Sequence, residues 1–145
     1  MNVSNAVTPT QEQLQNLLDS DFEGPVSMLN LLKFKEHAEY ADGRTSELSG
    51  AEAYSLYGEK MAPFVISKGG RLVFGGRAEH LMLGEVDELW DMVAIMEYPS
   101  KEAFVEIVSA PEVGEFSVHR SAGLAGQLLI AVSAGYSIIA TMSHN

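Results

Sequence analysis

The segment PVSMLNLLKF, Pro25 to Phe34, is apolar on both faces of the strand it predicts. Side chains alternate across a strand, so Val26, Met28, Asn30, Leu32 and Phe34 share one face, and Ser27, Leu29, Leu31 and Lys33 the other. Both faces need cover. A few helices cover one face of a small sheet, which leaves the other for a second copy of the chain. Asn30 stands as the polar member of an apolar row.

Helical spacing takes over on either side. Thr8-Pro9-Thr10-Gln11 predicts a helix capped by Thr8 with Pro9 at its first position, and Leu14, Leu17, Leu18 and Phe22 follow in phase towards an end near Glu23-Gly24. The polar connector Lys35 to Leu48, with Asp42-Gly43, reads as a loop. Ser49-Gly50-Ala51-Glu52 is a second capping box, after which Ala53, Leu56, Tyr57, Met61, Phe64 and Val65 trace one helix face, bent at Pro63 and stopped by Gly69-Gly70. Arg71 to Leu83 reads as a long strand interrupted by a bulge at Gly75-Gly76, turned at Gly84 to Glu88 and paired with a return strand from Leu89 to Tyr98. Pro99-Ser100 caps a third helix with Ala103, Phe104, Ile107 and Val108 inward. A short helix from Glu112 to about Arg120 follows Pro111, and Gln127 to Ser133 forms the last strand.

After the leading helix the order is strand, helix, strand, strand, helix, strand. That is the ferredoxin-like split βαβ arrangement, an α+β fold with an antiparallel sheet and helices on one face. The expected organisation is an N-terminal helical extension over residues 1–23, the ferredoxin-like domain over 24–133, and a tail over 134–145. The apolar patch Tyr136 to Ile139 in that tail is placed to extend a sheet edge or dock on a partner.

Composition narrows the function classes. With no cysteine, disulfide frameworks, thiolate catalysis and cysteine-bound zinc are excluded together. Twenty acidic residues against nine basic ones give a net charge of −11, which repels phosphate backbones and anionic membranes, so neither nucleic acid nor a membrane is an expected partner. MNVSNAVTPT has neither the basic nor the apolar region of a signal peptide. The uncharged run Ala122 to Met142 is long enough to span a bilayer, but glycines, serines, Gln127 and Thr141 interrupt it. It reads as a buried strand plus tail, and the chain as cytoplasmic.

The motifs PVSMLNLLKF, GAEAYSLYGEKMAPFV, GGRLVFGG, LWDMVAIMEYPSKEAF, APEVGEF and VHRSAGL, in that order, resemble domain-of-unknown-function family 1330 of the dimeric α+β barrel superfamily. The likeness covers about Gly24 to Ser133. It implies a homodimer whose two sheets face each other, with a small cavity in each protomer between sheet and helices or at the sheet interface. Relatives by fold include cofactor-free monooxygenases, lactone isomerases and dehydratases, together with members that only bind, so fold gives no mechanism by itself.

Candidate chemistry begins in the hairpin. A turn centred near Val86 sets Gly75 opposite Glu97 and Arg77 opposite Ile95, leaving a hole above the glycine. In the catalytic reading Arg71 or Arg77 holds an anionic group while Glu97 or Asp91, its pKa raised by an apolar wall, moves a proton. The commoner alternative is that these charges form bridges across the sheet or the dimer. Asn30 either hydrogen-bonds a ligand carbonyl or satisfies neighbouring backbone. Tyr54 and Tyr57, three apart on a helix, lean over the sheet, and Trp90 with Tyr98 walls a pocket or simply packs. His119 is the histidine in a patterned context and a candidate general base. Its neighbour Arg120 closes on acidic strand residues or on a ligand. No nucleophile motif, HExxH pair or phosphate loop is present, so no metal, nucleotide or other cofactor is expected. Two functions remain: a homodimer that binds, and in one version transforms, a small organic molecule, or a non-catalytic dimerisation module in which the same polar groups are cement.

Overall fold

A computed structural model of the chain describes residues 1–133. Its elements are α1 (Gln11–Asp19), β1 (Val26–Phe34), α2 (Gly50–Ser67), β2 (Arg71–Arg77), β3 (Met92–Tyr98), α3 (Lys101–Val108), α4 (Pro111–Gly123) and β4 (Leu124–Ser133). β1 pairs antiparallel with β3 on one side and β4 on the other, and β2 closes the order β2-β3-β1-β4. The fold is the ferredoxin-like α+β arrangement that the element order predicts. Tyr136 to Ile139, and the rest of residues 134–145, lie outside the described residues. No helix among the described residues is long and apolar enough to cross a membrane.

The two faces of the sheet are unequal. Val26, Met28 and Tyr98 point at the helices and join Met61 and Val65 of α2, Phe104 and Ile107 of α3 and Val113 of α4 in one core. On the opposite face Leu29, Leu31, Val93 and Ile95 are half-exposed, and Ile130 and Val132 retain 45% and 44% of their surface. None of these joins the core.

Helices α2 and α4 meet where side chains are absent. A Cβ on Gly123 would lie 2.3 Å from the carbonyl oxygen of Gly50, and one on Gly50 only 2.1 Å from that of Lys35. Two backbones therefore touch directly, fixing the C-terminal turn of α4 over the start of α2. Helix α1 docks more loosely, through Leu14, Leu17 and the nearby Phe22. Lys101, buried at the start of α3, donates to the Ser20 carbonyl and lies over the Phe22 ring.

Ser49 caps α2 with a reciprocal box to Glu52, as expected, and α2 ends before Gly69, which takes φ +93°. Other boundaries differ from expectation. The cap of α1 is Thr10, not Thr8: its hydroxyl accepts from Gln13 N, and Gln13 accepts from Thr10 N. Both threonines have glutamine three residues on, but Ala6 bridges Gln127 and the Val7 carbonyl accepts from Arg120, which keeps the chain extended up to the second threonine. The hairpin strands are shorter than expected, because residues 78–91 form a loop with Gly84 at φ +92°. Leu81, Met82 and Leu83, expected in a strand, are 40%, 84% and 92% exposed. A longer hairpin would project beyond anything able to cover them. α4 and β4 instead run longer and abut at Gly123 and Leu124.

The bulge also lies earlier than Gly75-Gly76. Pairing passes from Leu72 and Met96 to Phe74 and Ile95, leaving Val73 extra. One extra residue reverses the facing of everything after it. Arg71 stands opposite Glu97, whereas Gly75 stands opposite Ala94 and Arg77 opposite Met92. Gly75 is thus not across from Glu97, nor Arg77 across from Ile95.

Candidate functional site

A chain of polar side chains crosses the helix-facing side of the sheet. Asn30 on β1 and Gln127 on β4 are diagonal neighbours in the ladder, and the Gln127 Nε2 donates to Asn30 Oδ1 at 2.7 Å. Asn30 Nδ2 in turn donates to the carbonyls of Met28 and Ala94, each at 3.2 Å. Arg120, carried over the sheet by α4, donates to Gln127 Oε1 and to the Val7 carbonyl. These bonds fix both amide orientations, since the Gln127 oxygen is engaged by a cation and its nitrogen must donate. Arg120 is half-buried, and no carboxylate pairs with it among the described residues. Its other N–H groups make no hydrogen bond among those residues.

Three tyrosines converge on the same region. Tyr54 and Tyr57 on α2 have ring centroids 5.4 Å apart, Tyr54 is also 5.4 Å from Phe34, and Tyr98 packs edge-on against Phe104 at 4.9 Å. None of the three hydroxyls has a hydrogen-bond partner among the described residues. Burial pushes the pKa of Tyr54, Tyr57 and Tyr98 above the ordinary tyrosine value. The neighbouring Arg120 charge pulls Tyr54 and Tyr57 part of the way back. At neutral pH these hydroxyls are protonated and can donate.

Arg120 and Gln127 open onto a cavity of about 400 Å³ between the sheet, α1 and the N-terminal arm, floored by Met28, Phe104 and Leu17. Val7, Thr8 and Pro9 form its arm wall, and Arg120 is the single charged residue among the described residues that line it. A wider cleft of about 810 Å³ lies between α2 and the end of β2, where Gly75 and Gly76 leave space over Phe34, Tyr54 and Met92. Arg77 lines it because of the bulge.

The remaining sequence candidates are dispersed. Glu97 is paired with Arg71, Nε to Oε1 at 3.0 Å. Asp91 holds Lys33 Nζ at 3.3 Å and accepts from Phe34 N at 2.8 Å, tying the end of β1 to β3. Trp90, outside β3, donates its indole N–H to Asn5 Oδ1 at 2.8 Å and so anchors the arm. His119 Nδ1 lies 2.7 Å from the Tyr40 hydroxyl, on the connector side of α4. The structure therefore brings together Asn30, Tyr54, Tyr57 and Arg120, and leaves Glu97, Asp91 and His119 in separate local contacts. Gln127 and the arm carbonyl of Val7 were not among the sequence candidates. Gln127 was visible as the polar residue opening an apolar strand, as Asn30 is within its own. Nothing in the sequence pointed to a backbone carbonyl. Among the described residues no group of three or more His, Asp or Glu is placed to hold a metal ion.

The chain is similar to a protein of unknown function from Rhodopseudomonas palustris, at 38% identity and TM-score 0.81 over 92% of this chain and 99% of that one. The methylated form of that protein gives 39% identity and TM-score 0.83, over 92% and 98%. More distant likenesses, which show the fold alone, include SnoaB, a cofactor-independent oxygenase from Streptomyces nogalater. It has 17% identity and TM-score 0.50, over 78% of this chain and 95% of that one. A dabb family protein with a ferredoxin-like fold from Mesorhizobium loti has 11% identity and TM-score 0.50, over 78% and 99%. No protein-family model matches the chain, and no curated protein does.

Proposed function

From the premise that the chain belongs to the family of the Rhodopseudomonas palustris protein of unknown function, we propose that it is a homodimeric α+β barrel protein that binds a small organic molecule between its sheet and helices, without metal or nucleotide. The likeness to domain-of-unknown-function family 1330 is part of this proposal, as is a cytoplasmic location. The observation that carries the ligand is a half-buried arginine facing a cavity with no carboxylate beside it among the described residues. Arg120, which has no carboxylate partner among the described residues, opens onto a cavity of about 400 Å³, and its charge reaches the half-buried Tyr54 and Tyr57. A cavity of this size with a few convergent donors is the usual form of a ligand site. The dimer rests on the open sheet face, where Leu29, Leu31, Ile95 and Ile130 have no cover among the described residues.

Among the described residues the interior cluster contains neither carboxylate nor histidine, so its chemistry is donation of hydrogen bonds and positive charge to a ligand oxygen. Proton removal by Glu97 or Asp91 would require each to leave an ion pair. Those pairs favour a structural role for that part of the molecule: Arg71 neutralises Glu97, and Lys33 neutralises Asp91, within the protomer. The two readings then divide the candidate residues between them. Crystals soaked with a fragment library test the site, with density expected beside Arg120 and Phe104; fragments confined to the outer surface would contradict it. Sedimentation equilibrium tests the dimer, and a monomer at micromolar concentration would contradict that part.

A further inference from the structure

Resting on that reading of the site, we propose that the Arg120 cavity is built for the carboxylate of a small, otherwise apolar acid, and that the Val7 carbonyl is the placeholder this carboxylate displaces. In a chain of net charge −11, a half-buried guanidinium faces, among the described residues, only neutral acceptors, the Val7 carbonyl and Gln127 Oε1. An unpaired charge withdrawn from water is costly, and an anion supplied by a ligand removes that cost. The planar fork of a guanidinium matches the two oxygens of a carboxylate. No second cation among the described residues lines the cavity, so one negative charge is matched and a dianion is not. The floor of Leu17, Met28 and Phe104 favours an apolar body, while Ser4, Thr8, Gln13 and Asn16 line the side of the arm and α1.

The arm that carries Val7 is tethered at the two residues that precede it. Ala6 bridges Gln127, and Asn5 accepts from the Trp90 indole. Gly126 admits the crossing, since a Cβ there would come 2.7 Å from the Asn5 Cβ. Exchange of the Val7 carbonyl for a ligand oxygen therefore shifts the arm and, through Asn5, the environment of the chain's single tryptophan.

Benzoate and benzamide, equal in shape and different in charge, are the probes. Titrated into the intact protein, benzoate is expected to bind at least about tenfold tighter than benzamide and to change Trp90 fluorescence. Arg120→Gln is expected to abolish that preference. Asn5→Ala, which leaves Arg120 in place, is expected to keep the preference for benzoate while losing the fluorescence change. Equal affinity for the two probes, or for neither, overturns the inference without need of a variant. Benzoate binding with Trp90 unmoved overturns the exchange at Val7. If crystals show a neutral fragment beside Arg120 while benzoate has no advantage, the ligand-site reading survives and the carboxylate fails.

Discussion

Arg71 and Glu97 are direct partners across the β2–β3 ladder, with Nε 3.0 Å from Oε1. Their side chains are 65% and 29% exposed, so solvent screens the pair, and pairs of this kind contribute about 0–1 kcal/mol. Glu97→Gln is accordingly expected to lower stability by less than about 1 kcal/mol, read from urea midpoints, and to leave ligand content unchanged. A loss nearer 3 kcal/mol would contradict a solvent-screened pair.

The helix starts give a sharper comparison. Thr10→Ala and Ser49→Ala each remove a hydroxyl that accepts from the third residue of its helix, and each is expected to cost about 1 kcal/mol. Thr8→Ala removes no cap and should leave the midpoint within about 0.5 kcal/mol of the parent. The three denaturation curves decide which threonine begins α1.

At the α2–α4 crossing, Gly123→Ala would drive a methyl group to 2.3 Å from the Gly50 carbonyl oxygen. Backbone cannot yield as a side-chain tip does, so the expected cost is about 3 kcal/mol or more. Gly114→Ala, on the same helix with open space around it, is expected to be neutral or slightly stabilising. Thermal melts of the two variants provide the test.

Alkaline pH probes the tyrosine cluster. Burial raises the folded-state pKa of Tyr54, Tyr57 and Tyr98 above the unfolded value of 10.0. The stability they contribute is therefore fully present below pH 10.0 and is lost as the pH climbs from there towards the folded values. Each such group steepens the decline by about 1.4 kcal/mol per pH unit. Tyr98→Phe is expected to flatten that decline, measured as urea midpoints from pH 9 to 11; an unchanged slope would mean the hydroxyl is not withdrawn from water.

Much of the fold was legible in residue spacing, and the reasons it faded are local. Val26 to Phe34 and the box at Ser49 announce themselves because period and cap agree. Thr8 and Thr10 offer the same local signal, and the choice between them is made by Arg120 and Gln127, more than a hundred residues away in sequence. The hairpin register failed for a similar reason: one bulged residue, Val73, carries no signature of its own, yet it turns Arg77 from the open face towards the helices. Within the site, Asn30 stands out as a polar residue in an apolar row, and Arg120 only as the neighbour of His119. Their link through Gln127 depends on strand register, which hydropathy does not specify.

Native mass spectrometry of the freshly purified protein tests the central claim most directly, because it reads subunit number and bound small molecules together. The expected result is a dimer carrying a small-molecule adduct, with the adduct missing from Arg120→Gln that remains dimeric. A bare monomer, or an adduct retained in full by Arg120→Gln, would contradict the account.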